Sequence, residues 1–310
     1  MRRFRNLRPT GRELAGPLRQ ACSIRPREDA DIHRRHPLSC RLGEDCVGRF
    51  SVFLRGCRFG RRDTRFQRPP GPPLLFVHIA KTAGTSFRRT LEAALGTNAV
   101  WPADEDLRRR PDGVYPSEAE ILGSWSSMRP YFCLTGHFFA SFVDRLPVRH
   151  RTAVFLRDPV ERSLSTLAHF RHTTGIPPHR LLDDAEFVSR HVRNHQTIIL
   201  GHDGDSLPPD CDARIFEKAL GVIDTFDFVG ITERFRESCL LFDSVFATGI
   251  EKACRRENVM RPNGTEFSEL IPRILPLVEV DRELYAHAMA RFQSDHRRIR
   301  TFATPLRRAS

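Results

Sequence analysis

Four short apolar runs punctuate the chain: Leu74 to Ile79, Tyr131 to Thr135, Arg151 to Leu156 and Phe226 to Ile231. None shows the in–out alternation of a half-solvated strand, so each reads as a short strand buried on both faces. Stretches with helical spacing lie between and after them. Ser86 to Leu95 places Phe87, Leu91, Ala94 and Leu95 on one side and is closed by Gly96. Asp158 is a good N-cap and Pro159 suits the first helical position, which predicts a helix through about Arg171. Ala185 to Leu200, Asp212 to Ile223, Glu233 to Phe246 and Glu279 to about Arg298 continue the pattern. Buried strands alternating with helices predict an α/β fold with a central parallel sheet. Gly96 to Pro130 fits neither period and is expected to be irregular, either the wall of a cleft or a surface excursion.

The first run ends in His78-Ile79-Ala80-Lys81-Thr82-Ala83-Gly84-Thr85-Ser86. A tight loop between a strand and a helix leaves backbone N–H groups at the positive end of the helix dipole. Lys81 adds a cation, and Thr82, Thr85 and Ser86 add hydroxyls, which together describe an anion cradle, most naturally for phosphate. In the common nucleotide loop the lysine follows the last glycine, whereas Lys81 precedes Gly84. A phosphate-like ligand other than ATP or GTP is expected.

Phe76 to Phe87 resembles the 5′-phosphosulfate loop of the sulfotransferases, in the branch that includes heparan sulfate 2-O-sulfotransferase. Val154-Phe155-Leu156-Arg157-Asp158-Pro159-Val160-Glu161-Arg162-Ser163-Leu164-Ser165 resembles the same family's 3′-phosphate segment, and Phe228 to Phe235 is a looser third match. The resemblance spans about Pro73 to Phe292 and implies a P-loop-like three-layer fold, 3′-phosphoadenosine 5′-phosphosulfate as sulfuryl donor, and an acceptor hydroxyl, on a carbohydrate or another small molecule. By that resemblance Lys81, Thr82, Ala83, Gly84, Thr85 and Ser86 hold the 5′ side, and Arg157 and Ser165 hold the 3′-phosphate. No metal is expected.

His137, in Gly136-His137 just past the second strand, aligns with the family's catalytic base, and imidazole titrates near neutral pH. Thr135 stands where those relatives carry a further histidine. Phe138, Phe139 and Phe142 are read as limiting water access and seating the acceptor. His78 reads as an interior histidine or, less simply, a base; Glu161 reads as a helix-surface charge or a base. Asn258, Arg261 and Asn263 read as a plain connecting loop or one that closes over the nucleotide.

Charge changes the picture only for the first seventy residues. These hold 18 arginines against seven acidic residues, a balance of +11 out of the chain's +12, so the remainder is nearly neutral. The overall field of the catalytic region then gives no reason to expect nucleic acid as a partner. Residues 1–72 read as an Arg/Pro-rich disordered tail and residues 73–300 as one sulfotransferase domain, with Arg68 to Pro73 as an extended linker. The tail lacks the long apolar core of a signal or membrane span, so a cytoplasmic protein with at most peripheral membrane contact is expected. The eight cysteines form no Cys-x-x-Cys pair, which favours reduced thiols and agrees with a donor made in the bacterial cytosol. Only three lysines stand among 50 basic residues, so a lysine at the centre of the loop is not incidental. Two other functions compete with the sulfotransferase reading: a nucleotide phosphotransferase with a variant loop, and a non-enzymatic Arg-tailed binder of nucleic acid or membrane.

Overall fold

A computed structural model describes residues 71–108, 115–204, 207–208, 210–254 and 265–303. Residues 1–70 of the expected tail and the Asn258–Asn263 stretch lie outside these residues. Among the described residues five strands form one parallel sheet: β1 (Leu74–Val77), β2 (Val100–Trp101), β3 (Cys133–Gly136), β4 (Arg151–Leu156) and β5 (Phe228–Ile231), in the order β2-β3-β1-β4-β5. The helices are α1 (Gly84–Leu95), α2 (Asp104–Arg108), α3 (Glu118–Ser124), α4 (Pro159–Thr174), α5 (Pro178–Asp183) and α6 (Ala185–His191). They continue with α7 (His195–Gly201), α8 (Ala213–Thr225), α9 (Phe235–Phe246), α10 (Thr265–Ser268), α11 (Ile271–Ile274) and α12 (Glu279–Ala303). The predicted α/β fold with a central parallel sheet is therefore the observed one.

Register places Leu74 opposite Cys133 on one side and Arg151 on the other, and Val77 opposite Gly136 and Val154. β1, β3 and β4 therefore end together, and the loops after them share the carboxyl edge of the sheet. β1 is also where the strand order reverses, since the chain reaches β3 on one flank and then crosses to β4 on the other. Open α/β sheets bind their ligands at such a point.

Aromatic packing fixes α1 over this centre. Phe87 lies 4.8 Å from Phe76, 5.0 Å from Phe155 and 5.0 Å from Phe242, ring centre to ring centre, which joins α1, β1, β4 and α9 in one cluster. Burying aromatic rings of this size stabilises by roughly 1.5–3 kcal/mol each. Alternation sends Leu75 to the opposite face, where it packs with Ile121, Leu134, Phe138 and Phe142.

Two expectations are corrected here. Residues 96–130 are not wholly irregular: Val100–Trp101 is the edge strand, and α3 starts with a capping box in which Ser117 and Glu120 bond each other's backbone. Ala185 to Leu200 is two helices rather than one. The break at Asn194 (φ 40°) lets its Oδ1 accept from the N–H groups of Val280 and Asp281 at the start of α12. In return the Asp281 carboxylate accepts from Gln196 N–H (3.2 Å), Thr197 N–H (2.7 Å) and the Thr197 hydroxyl (2.7 Å) at the start of α7. Each helix supplies the other's cap, and that exchange outweighs one uninterrupted helix.

Candidate functional site

The loop after β1 is organised by what happens to its carbonyl groups. His78 C=O accepts from the Nδ1 of His137 at 2.8 Å, and Ile79 C=O from the Thr82 hydroxyl at 2.9 Å. Ala80 C=O accepts from Arg162 Nε and Lys81 C=O from Arg157 Nη1, both at 3.2 Å. Ala83 C=O takes the N–H of Phe87, the first bond of α1. Oxygens that repel an anion are thereby held by the protein's own donors. Lys81 (φ 69°) and Ala83 (φ 67°) adopt the left-handed conformation, which costs a non-glycine residue about 1–2 kcal/mol. These ties supply the compensation. Ala83 offers no side-chain acceptor to the head of α1, and no acidic residue stands in its first turn. The arrangement suits an anion.

Gly84 is required by packing. A side chain there would meet the His78 ring, with Cβ only 2.0 Å from Cδ2 and 2.2 Å from Nε2. His78 is thus wedged beneath the loop rather than lost in a distant core.

The predicted loop residues do not contribute equally. Thr82 is fully buried and its hydroxyl proton is committed to Ile79, so the expectation that this hydroxyl donates to phosphate is corrected; its backbone N–H remains part of the loop. Ser86 is buried, Thr85 is exposed and Lys81 is half-buried. Arg157 leaves the end of β4 beside Lys81. Its guanidinium also lies 3.6 Å from Glu161 and 3.9 Å from Glu233. Glu233 is occupied elsewhere, accepting from Asp158 N–H and the Tyr285 hydroxyl, whereas Glu161 is exposed and such a pair is weak. Ser165 is buried inside α4, eight residues beyond Arg157, and no described contact joins the two.

His137 follows β3 at the same edge and is exposed. A carbonyl can only accept, so its Nδ1 carries the proton and its Nε2 is the basic atom. The ring stacks on His78 at 4.7 Å, and Tyr115 stands edge-on to it at 5.3 Å. Crowding by protein lowers the His137 pKa by removing water from the charged form, while the bond to His78 works in the opposite sense. The pKa of His78 lies well below the ordinary value, first through burial and then through the charges of His137, Arg88 and Lys81. Both rings are therefore neutral near pH 7.

Several contributors escaped sequence reading. Tyr115 lines the side of His137 and accepts a 2.8 Å bond from Arg88, which Glu92 holds one turn along α1. Arg88 and Glu92 carried a legible i,i+4 signal, but Tyr115 had none. Arg162 is among the most completely buried side chains and bonds both Ala80 and His191 carbonyls. Phe138, Phe139 and Phe142, expected to seat an acceptor, are instead buried, with Phe138 folded back over Gly136. Glu161 stands by Arg157 rather than by His137. The four described cysteines, Cys133, Cys211, Cys239 and Cys254, are free thiols. Among the described residues no helix is long and apolar enough to cross a membrane.

No protein-family model matches the chain, and no curated protein matches it. Among solved structures it is similar to a sulfotransferase from Alicyclobacillus acidocaldarius, with a TM-score of 0.38 and 13% identity over 69% of this chain and 96% of that one. A likeness this loose bears on neither reaction nor substrate.

Proposed function

We propose that the chain is a sulfotransferase that moves the sulfuryl group of 3′-phosphoadenosine 5′-phosphosulfate to an acceptor hydroxyl. A carbohydrate is the acceptor class implied by the resemblance to the heparan sulfate 2-O-sulfotransferase branch. One observation carries the reading: the stretch His78 to Lys81 fixes the tautomer of a surface histidine through one carbonyl, while its next carbonyls are tied back by the protein's own donors at the head of α1. A base and an anion cradle thus share four consecutive residues.

Residues 82–86 of the loop and Lys81 would hold the 5′-phosphate, and Arg157 with Ser165 the 3′-phosphate. The Nε2 of His137 would take the proton of the acceptor hydroxyl as its oxygen bonds to sulfur and the bond from sulfur to the 5′-phosphate oxygen breaks. Lys81 would stabilise the negative charge growing on that leaving oxygen. Holding both partners at one sheet edge supplies the alignment that in-line displacement needs.

The test is thermal stabilisation by adenosine 3′,5′-bisphosphate against ADP and ATP, in the protein and in Arg157→Ala. The 3′-phosphate compound should raise Tm selectively, and Arg157→Ala should abolish the difference. Equal shifts for all three nucleotides in the unaltered protein would end the reading.

A further inference from the structure

Arg157 is the first residue after β4 and precedes Asp158, the cap of α4. The side chain of Gln196, fully buried at the start of α7, holds its backbone. Its Oε1 accepts from Arg157 N–H at 3.0 Å and its Nε2 donates to Arg157 C=O at 2.8 Å. One residue exchanging both bonds with one partner is the pairing of an antiparallel ladder, reproduced here by a carboxamide. Only one amide orientation gives both bonds, since an N–H needs an oxygen and a carbonyl needs an NH₂.

Gln196 is itself fixed. Its N–H donates to Asp281 at 3.2 Å, and Asp281 is buried between α7 and Asn194. The hold on Arg157 therefore runs through buried, mutually bonded groups to the head of α12. Such networks keep a side chain in one place because every alternative leaves a buried polar group without a partner. At its other end, the Arg157 guanidinium reaches the Lys81 carbonyl.

We infer that Gln196 is a positioning residue for anion recognition by Arg157, setting how well the site distinguishes a nucleotide bearing a 3′-phosphate from one without it. The inference rests on the reading of Arg157 given above. Gln196 touches no ligand in this scheme; it fixes the backbone from which the guanidinium extends.

The experiment measures affinity for adenosine 3′,5′-bisphosphate and for adenosine 5′-phosphate in the unaltered protein, Gln196→Met, Gln196→Glu, Arg157→Ala and the Arg157→Ala/Gln196→Met pair. The ratio of the two affinities reports the 3′-phosphate alone. Gln196→Met removes both bonds at nearly constant size and should lower the ratio at least tenfold, with 5′-phosphate affinity within about threefold. Gln196→Glu, a same-sized variant that keeps the acceptor but sets a carboxylate oxygen against the Arg157 carbonyl, should also lower the ratio; it carries the test if the Met variant does not fold. Adding Gln196→Met to Arg157→Ala should lower the ratio no further. In turnover, the donor KM should rise while kcat changes little. An unchanged ratio in either folded variant overturns the inference, as does an equal loss for both nucleotides, which a merely structural glutamine predicts. If the unaltered protein shows no 3′-phosphate preference, the donor reading itself has failed; a preference that Gln196 variants leave intact defeats the positioning role alone.

Discussion

The Nδ1 of His137 lies 2.8 Å from the carbonyl oxygen of His78, and the two rings stack at 4.7 Å. The bond gives His137 one tautomer, and the stack brings it against the residue that supports the phosphate loop.

From this pair follows the expected behaviour of His137→Ala. Donor binding needs no base, so affinity for adenosine 3′,5′-bisphosphate should stay within a few-fold while transfer falls by about 10²–10⁴. A base works when neutral, and the pKa of His137 is lowered. The acid limb of kcat/KM should therefore inflect below about 6.5, the ordinary histidine value, with activity level above it. Activity that merely tracks the folded fraction in the Ala variant, or an inflection above that value, would remove His137 from the role.

Lys81→Arg and Thr82→Val should separate chemistry from architecture. The first exchanges a compact ammonium for a wide planar fork in a loop of small residues, and transfer should fall at least about a hundredfold, roughly 3 kcal/mol. The second removes the donor to a buried carbonyl, Ile79, and should cost about 1–3 kcal/mol of stability. Measured at a temperature where Thr82→Val remains folded, its turnover should stay within about tenfold. A collapse of turnover in folded Thr82→Val, or near-normal turnover in Lys81→Arg, contradicts this division.

Gly84→Ala forces a methyl into the His78 ring. A cost of about 1–3 kcal/mol is expected from overpacking. His78→Ala in the same chain should restore part of that loss, because the clash disappears. Chemical denaturation of the two single variants and the pair reads the coupling directly; additive costs would show that the close contact is unimportant.

Acid should unfold the protein through buried neutral histidines. Burial holds His169 and His191 down to about 4, and lowers His78 and His195 well below 6.5. The unfolded chain takes up these protons as pH falls below about 6.5, and the folded chain does so only near or below about 4. Stability is therefore complete above the unfolded value and is lost as pH falls through this window, by up to about 1.4 kcal/mol per pH unit for each such proton. Tm should drop steeply between pH 7 and pH 5, and His191→Gln should flatten the slope. A Tm that is constant across this range would show that these rings are charged or solvated when folded.

The parts legible in the sequence are those governed by neighbours within a few residues. Leu74–Val77 and Ala153–Leu156 announced buried strands by unbroken apolar character, and Asp158-Pro159 announced the head of α4. Lys81, His137 and Arg157 each follow such a strand, so a parallel sheet carries all three to its carboxyl edge. What the sequence alone left open depends on partners far along the chain. Arg162 meets a carbonyl 82 residues away, Gln196 meets Arg157 across 39 residues, and Asp281 caps α7 across 85. A buried polar group takes the partner that packing brings to it, since being left unpaired costs more than bending a helix or turning a hydroxyl inward. For that reason local pattern predicted a continuous helix through Asn194 and a phosphate-facing hydroxyl at Thr82, whereas tertiary packing broke the one and turned the other toward Ile79.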